Sequence, residues 1–310
     1  MALTLRQRTP GPVGVRYEEL RSRGPLGGPL YAEAASPPSE VITDAVTGAP
    51  VYRLDEPSSA NPLHRLLEEC DLPLWTSAPQ PEDAVQGDIN DCALVSTLIA
   101  LAHARNAVLQ AMIREEPAAV FCRRRGETQS EFPWRARRIL RVTFPGQPEV
   151  IVSSLLYRYW GRIAYARSRG DSVSWVSFLE KAYVVGLCAQ SYAVLDAAGE
   201  PEARGGRGTT QIFTEIAGPA AVLDLAAEPR PSLQEVRRWV ERALERPTIA
   251  GTESAAFEPA GIAAGHAYAV LGLEENRVIL RDPRGGERAE KRMALDDFRE
   301  VFRLIWQTAG

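Results

Sequence analysis

Gln86-Gly87-Asp88-Ile89-Asn90-Asp91-Cys92-Ala93-Leu94-Val95-Ser96-Thr97-Leu98-Ile99-Ala100-Leu101-Ala102 is a polar loop running into an almost wholly apolar segment. A segment that is apolar nearly all round is, in a chain that folds in water, a helix buried in the middle of its domain. Asn90 or Asp91 stands where an N-cap belongs, so Cys92 falls at the start of that helix. A thiol attacks only as thiolate, and the partial positive charge of a helix start favours the anion. Cys70, Cys122 and Cys188 lie in or beside apolar runs, the habit of inert core thiols. A cysteine at a helix start is also often structural, so Cys92 becomes a nucleophile only if a base stands beside it.

The chain has three histidines. His103 follows Cys92 on the same helix at a separation of about 16 Å along the axis, too far to be its base. His64 sits in a poorly patterned region and reads as a surface or satisfied interior residue. His266 opens a strand-like run, Gly265-His266-Ala267-Tyr268-Ala269-Val270-Leu271-Gly272, made otherwise of small and apolar residues. A turn at Glu274-Glu275-Asn276 and a second run, Arg277-Val278-Ile279-Leu280-Arg281, complete a hairpin pattern. The pairing returns Asp282 to within a residue or two of His266, where a carboxylate would hold the ring and its tautomer. Asp282-Pro283 is equally a common turn dipeptide, and on spacing alone both readings stay open.

Elsewhere the pattern is coarser. Residues 1–60 are rich in proline and glycine with little periodicity, and read as an extended, partly disordered or regulatory arm. His64, Leu66 and Leu67 suggest a short helix, and Pro81 to Asp91 a polar loop. Ile139 to Phe144 and Val150 to Ser153 form a hairpin pattern around Pro145-Gly146-Gln147-Pro148, and Ser174 to Leu187 a second buried helix. A shift to Gly, Arg, Pro and Thr near Glu200 to Thr210 marks a boundary, giving a Cys-bearing part at 61–208 and a His/Asp-bearing part at 209–310. In the latter, Ser232 and Glu235 form a capping box for a helix ending before Pro247.

Composition narrows the partners. With a formal charge of -4 and a quarter of its residues charged, the chain has no footprint for nucleic acid or an anionic membrane. Arg123, Arg124, Arg125, Arg135, Arg137, Arg138 and Arg141 resemble a basic patch, but Lys181 and Lys291 are the only lysines, so arginine serves every solvated positive position. No disulfide framework or clustered zinc ligands are expected from four widely spaced cysteines and three histidines, and no cofactor is implied. Neither a signal peptide nor a membrane-length apolar stretch is evident, so a cytoplasmic location is expected, with export by a route not marked at the N-terminus left open.

The chain resembles the protease core of calpains, in ordered matches from about Pro81 to the C-terminus. Gln86-Gly87 and Asp91-Cys92 are similar to the family's glutamine-glycine and Asp-Cys around the nucleophile. Trp175 with Leu179-Glu180-Lys181-Ala182-Tyr183 is similar to its tryptophan and Leu-Glu-Lys-Ala-Tyr helix, and Ala243-Leu244-Glu245-Arg246 to the helix before the histidine strand. Gly265-His266-Ala267-Tyr268 matches the histidine motif, Arg281-Asp282-Pro283-Arg284-Gly285 resembles Arg-Asn-Pro-Trp-Gly, and 293–302 resembles the closing segment.

The resemblance implies an α+β, papain-like fold of two lobes, a helical one bearing Cys92 and a β-rich one bearing His266 and Asp282. It implies a cysteine endopeptidase acting on protein or peptide through a thioacyl-enzyme, with the Gln86 side chain and the Cys92 N–H as oxyanion hole. The chain departs from the family at Asp282 for asparagine, Arg284 for tryptophan, Asn90 for glycine and Ala93 for tryptophan. Without acidic loops like those of the calpain core, calcium dependence is not carried over. Deamidation or transfer on a protein glutamine could use the same triad, and an inactive calpain-like binding module is a further alternative. A regulatory partner, or self-inhibition by the N-terminal arm, would restrain such an enzyme.

Overall fold

The computed structural model describes residues 40–45, 47–64, 66–124, 134–197, 208–253, 261–286 and 288–309. Most of the arm, residues 1–39, and most of the boundary near Glu200 lie outside them. Within them the chain is a mixed α+β structure. In order come β1 (Glu40–Thr43), β2 (Pro50–Glu56), β3 (Leu66–Glu69), α1 (Cys92–Ala104), α2 (Asn106–Ala111), β4 (Ile113–Arg124), β5 (Trp134–Val142), β6 (Val150–Ser153), β7 (Leu155–Tyr159) and β8 (Arg162–Ile163). Then follow α3 (Trp175–Leu187), α4 (Tyr192–Asp196), α5 (Thr209–Ala217), β9 (Ala220–Asp224), α6 (Leu233–Glu241), β10 (Thr248–Thr252), β11 (Ala267–Glu274), β12 (Arg277–Arg281), β13 (Glu290–Ala294), α7 (Leu295–Val301) and β14 (Phe302–Thr308).

The apolar run after Cys92 is α1, and residues 93–102 are all buried. It lies against α5 on one side and against β10 and β11 on another. Successive residues of a strand point to opposite faces, and the last sheet uses both. Ile249, Ala267, Ala269 and Trp306 join the core around α1, whereas Ala250, Tyr268, Val270 and Ile305 join a second core with Val236, Val240 and Phe298 of α6 and α7. Its order is β13-β12-β11-β10-β14-β9, antiparallel throughout. A bonded contact, Ser96 Oγ to the Ala267 carbonyl at 3.0 Å, fixes α1 on the histidine strand.

Three expectations need correction. The Cys-bearing part, 61–208, is not mainly helical, because it supplies β4, β5 and β6 of the five-stranded sheet β1-β2-β4-β5-β6 and the whole of the three-stranded sheet β3-β7-β8. Leu66 and Leu67 belong to the strand β3 and not to a helix. Pairing with β7 buries Leu67 and leaves Leu66 and Glu68 outward. The arm does not extend to residue 60: β2 lies parallel to β4 and buries Val51, Tyr52 and Leu54 in the core. The hairpin of β5 and β6 pairs Val142 with Val150 across the expected turn. Ser232 caps α6, its Oγ accepting from the Glu235 N–H at 3.2 Å.

Candidate active site

The loop before α1 is held along its whole length. Val85 exchanges main-chain hydrogen bonds with Arg167, the Gln86 N–H donates to the Pro283 carbonyl, the Asp88 N–H to Ala164, and the Asn90 N–H to Asp196 Oδ1. Gly87 has no substitute here, since a Cβ would lie 2.2 Å from the Tyr165 carbonyl carbon. These ties deliver Cys92 as the first residue of α1, half-buried, while Cys70, Cys122 and Cys188 are buried. Burial pushes the Cys70 and Cys122 thiols up, away from reactivity.

Gln86 is buried beside this turn. Its Nε2 donates one hydrogen to the Ile89 carbonyl at 2.7 Å, which orients the amide and leaves a second N–H. Asp91 occupies the N-cap position as expected, but its side chain does not cap the helix. It turns inward to Glu180 of α3.

His266 is 4% exposed, and its main chain is pinned to Thr252 in both directions: the His266 N–H donates to Thr252 Oγ1, and the Thr252 N–H to the His266 carbonyl. The Tyr268 ring stands edge-on to the imidazole at 4.8 Å between centroids. His266 Nε2 lies 3.0 Å from Asp282 Oδ1, so Nδ1 is the nitrogen left for another partner. The hairpin that joins them turns through Glu275 and Asn276, both with positive φ, and carries a bulge between Val270 and Gly272. Asp282 Oδ1 also accepts from the Arg284 N–H at 3.0 Å. Arg284, which departs from the tryptophan of the family the chain resembles, is exposed.

Electrostatics follow this geometry. Burial pulls the His266 pKa down, but hydrogen bonding to Asp282 and to Cys92, with the charge of both, outweighs it and leaves the imidazole above its ordinary range. Burial alone would raise Asp282; the His266 hydrogen bond, the Arg284 N–H and both positive charges hold it below the usual carboxylate range. Cys92, His266 and Asp282 therefore meet as one interacting group, with Gln86 on the adjoining loop. His103 lies on the last turn of α1. His64 is buried between Tyr159 and Tyr165, 3.6 Å from Asp88.

Sequence reading missed the support behind the site. Glu180 and Lys181, adjacent on α3, are 1% and 2% exposed. Lys181 Nζ pairs with Glu56 of β2 at 2.6 Å and donates to the Ser153 and Leu155 carbonyls. Two charged residues inside an otherwise apolar helix were the available signal, since such charges are buried only with partners. Several arginines of the basic run are spent on acids: Arg123 on Asp55, Arg138 on Glu115, Arg141 on Glu116 and Glu149. Arg125 lies outside the described residues.

Among the described residues, no three His, Cys, Asp or Glu side chains gather as a metal-binding cluster, and no helix is long and apolar enough to cross a membrane. No curated protein matches the chain. Residues 64–293 match the sequence profile of the calpain family cysteine proteases, which extends the likeness upstream of the Pro81 start read from the motifs. A match over that share of the chain, carrying the Cys92 loop, the His266 strand and Asp282 within it, places this protein in the calpain family of cysteine proteases.

Proposed function

We propose that this protein is a cysteine endopeptidase in which Cys92 attacks a peptide carbonyl, His266 takes and returns its proton, and Asp282 holds the imidazole. The observation that carries the reading is the 3.0 Å contact of His266 Nε2 with Asp282 Oδ1, which fixes the ring so that Nδ1 is left for the thiol at the start of α1. The thioacyl-enzyme would form with release of the amine, protonated by His266, and water would then hydrolyse it. Charge developing on the carbonyl oxygen would be met by the remaining Gln86 Nε2–H and the Cys92 N–H.

In this reading the protein is papain-like and two-lobed, its substrate lying between the α1 side and the six-stranded sheet that carries His266. Activity would need no calcium, because the loop bearing Gln86 is already bonded to the loop bearing Asp282 through Pro283. A thiol-directed peptidyl probe, applied in the presence of a chelator, tests both points. Rapid labelling of wild type at Cys92, lost in His266→Ala, is expected. Labelling as slow as that of a small free thiol and indifferent to His266→Ala would defeat the reading, and labelling that appears only on adding calcium would defeat its calcium clause.

A further inference from the structure

Helix α3 buries a carboxylate and an ammonium in succession, and among the described residues only the ammonium stands in an ion pair. Lys181 pairs with Glu56, whereas Glu180 faces another buried carboxyl, Asp91. Both are out of water, at 0% exposure for Asp91 and 1% for Glu180. The Ala166 N–H reaches the two Glu180 oxygens at 3.0 and 3.1 Å. Among the described residues, no N–H or hydroxyl of another residue reaches either Asp91 oxygen. Around the pair stand Asp196 of α4, whose charge opposes ionisation of Asp91, and Arg167, whose charge only partly favours an ionised Glu180. Tyr165 and Tyr192, the other titratable groups facing it, are held neutral by burial.

Carboxylates have acceptors only, so two of them can hydrogen-bond to each other only if one carries a proton. We infer that Glu180 is a positioning residue for Cys92: it shares a proton with Asp91, and that bond anchors the residue immediately before the nucleophile to the core helix α3. The inference rests on the reading of Cys92 as nucleophile.

The arrangement has two consequences at the thiol. Asp91 is drawn away from its capping role, which leaves the first N–H groups of α1 without a side-chain cap. The shared proton also keeps the pair from placing two negative charges beside a thiolate. Burial raises both acids: Asp91 to about 7, with the Glu180 contact pulling it part of the way back, and Glu180, where the charge and bond of Asp91 add to burial, well above the ordinary range.

Three measurements test this. At pH 6, where ordinary carboxyls are ionised, infrared spectra of wild type should contain the C=O stretch of a neutral carboxylic acid; its absence overturns the proposal without any variant. Second, the folded pair holds a proton that the unfolded chain releases above the ordinary carboxylate range near pH ~4. Wild type therefore loses stability as pH rises from there through about 7. Glu180→Gln, whose amide donates to Asp91 without a proton, should flatten that decline. His266 adds a decline of the same sign to both proteins, so the difference in Tm isolates the pair, and parallel curves overturn the proposal. Asp91→Asn makes the same test from the other side should Glu180→Gln fail to fold.

Third, alkylation of Cys92 by iodoacetamide should slow about tenfold or more in Glu180→Leu, and Glu180→Gln should restore it, with a pH profile extending further upward than wild type relative to its own rate at pH 6. Equal rates in all three proteins overturn the positioning role. Unselective alkylation in wild type would instead defeat the nucleophile reading, while the infrared and stability arms still decide the shared proton.

Discussion

The Gln86 N–H donates to the Pro283 carbonyl at 2.6 Å, so the loop that enters the nucleophile and the loop that leaves Asp282 are joined main chain to main chain. Neither loop is free to drift without the other. Gly285 makes the approach feasible: it sits at φ +74°, and a Cβ there would lie 2.9 Å from the Val85 side chain. Gly285→Ala should cost about 1–3 kcal/mol from left-handed strain and overpacking. Probe labelling should fall further than stability does, because Pro283 would be lifted from Gln86. Denaturant melts beside labelling rates check this, and a variant equal to wild type in both would show that the contact is not tight.

Asp282→Asn separates charge from hydrogen bonding. Asparagine still accepts from the imidazole but removes the charge that helps raise His266, so the alkaline limb of kcat/KM should move to lower pH with the fold intact. Stability changes with the same sign. The raised His266 stabilises the folded state fully below its unfolded value near ~6.5 and loses that contribution as pH climbs through its folded value. The lowered Asp282 contributes above its unfolded value near ~3.9, and loses it as pH falls through its folded value. The variant should therefore lose more Tm at pH 6 than at pH 9. An unmoved alkaline limb would mean that His266 does not govern it.

Gln86→Ala should reduce kcat by about 10²–10³ with little change in KM, the usual consequence of removing one oxyanion donor. Gln86→Glu should be as poor, since a carboxylate cannot donate. Both lose the bond to Ile89, so the control is stability, expected to change by about 1 kcal/mol. A loss in KM alone would place Gln86 in substrate binding instead.

Short-range chemistry is what the sequence displayed. α1 and α3 are apolar enough to be read directly, and His266 and Asp282 are tied by one hairpin, whose two-residue turn at Glu275 and Asn276 fixes their separation. Even there, the bulge after Val270 shifts the register by one residue, which alternation could not reveal. What stayed hidden depends on partners far along the chain. Leu66 and Leu67 become a strand only through β7, and the Pro/Gly-rich surroundings concealed β2, whose Glu56 is buried because Lys181 waits for it. Asp91 reads locally as a cap; nothing near it in sequence announces Glu180.

The pairing of Glu56 with Lys181 also decides what the N-terminal region is for. Lys181→Met should destabilise by about 3–5 kcal/mol, because it leaves the Glu56 carboxylate buried without a cation. Glu56→Leu combined with Lys181→Met should recover much of that loss, since an apolar pair of similar volume removes both desolvated charges. A chain begun at Asn61 lacks β1 and β2 altogether. It loses the buried Val51, Tyr52 and Leu54 and orphans Lys181, so it should show no cooperative thermal transition. If it melts like the full chain, the sheet edge formed by β1 and β2 is dispensable, and residues 40–60 belong with the arm after all.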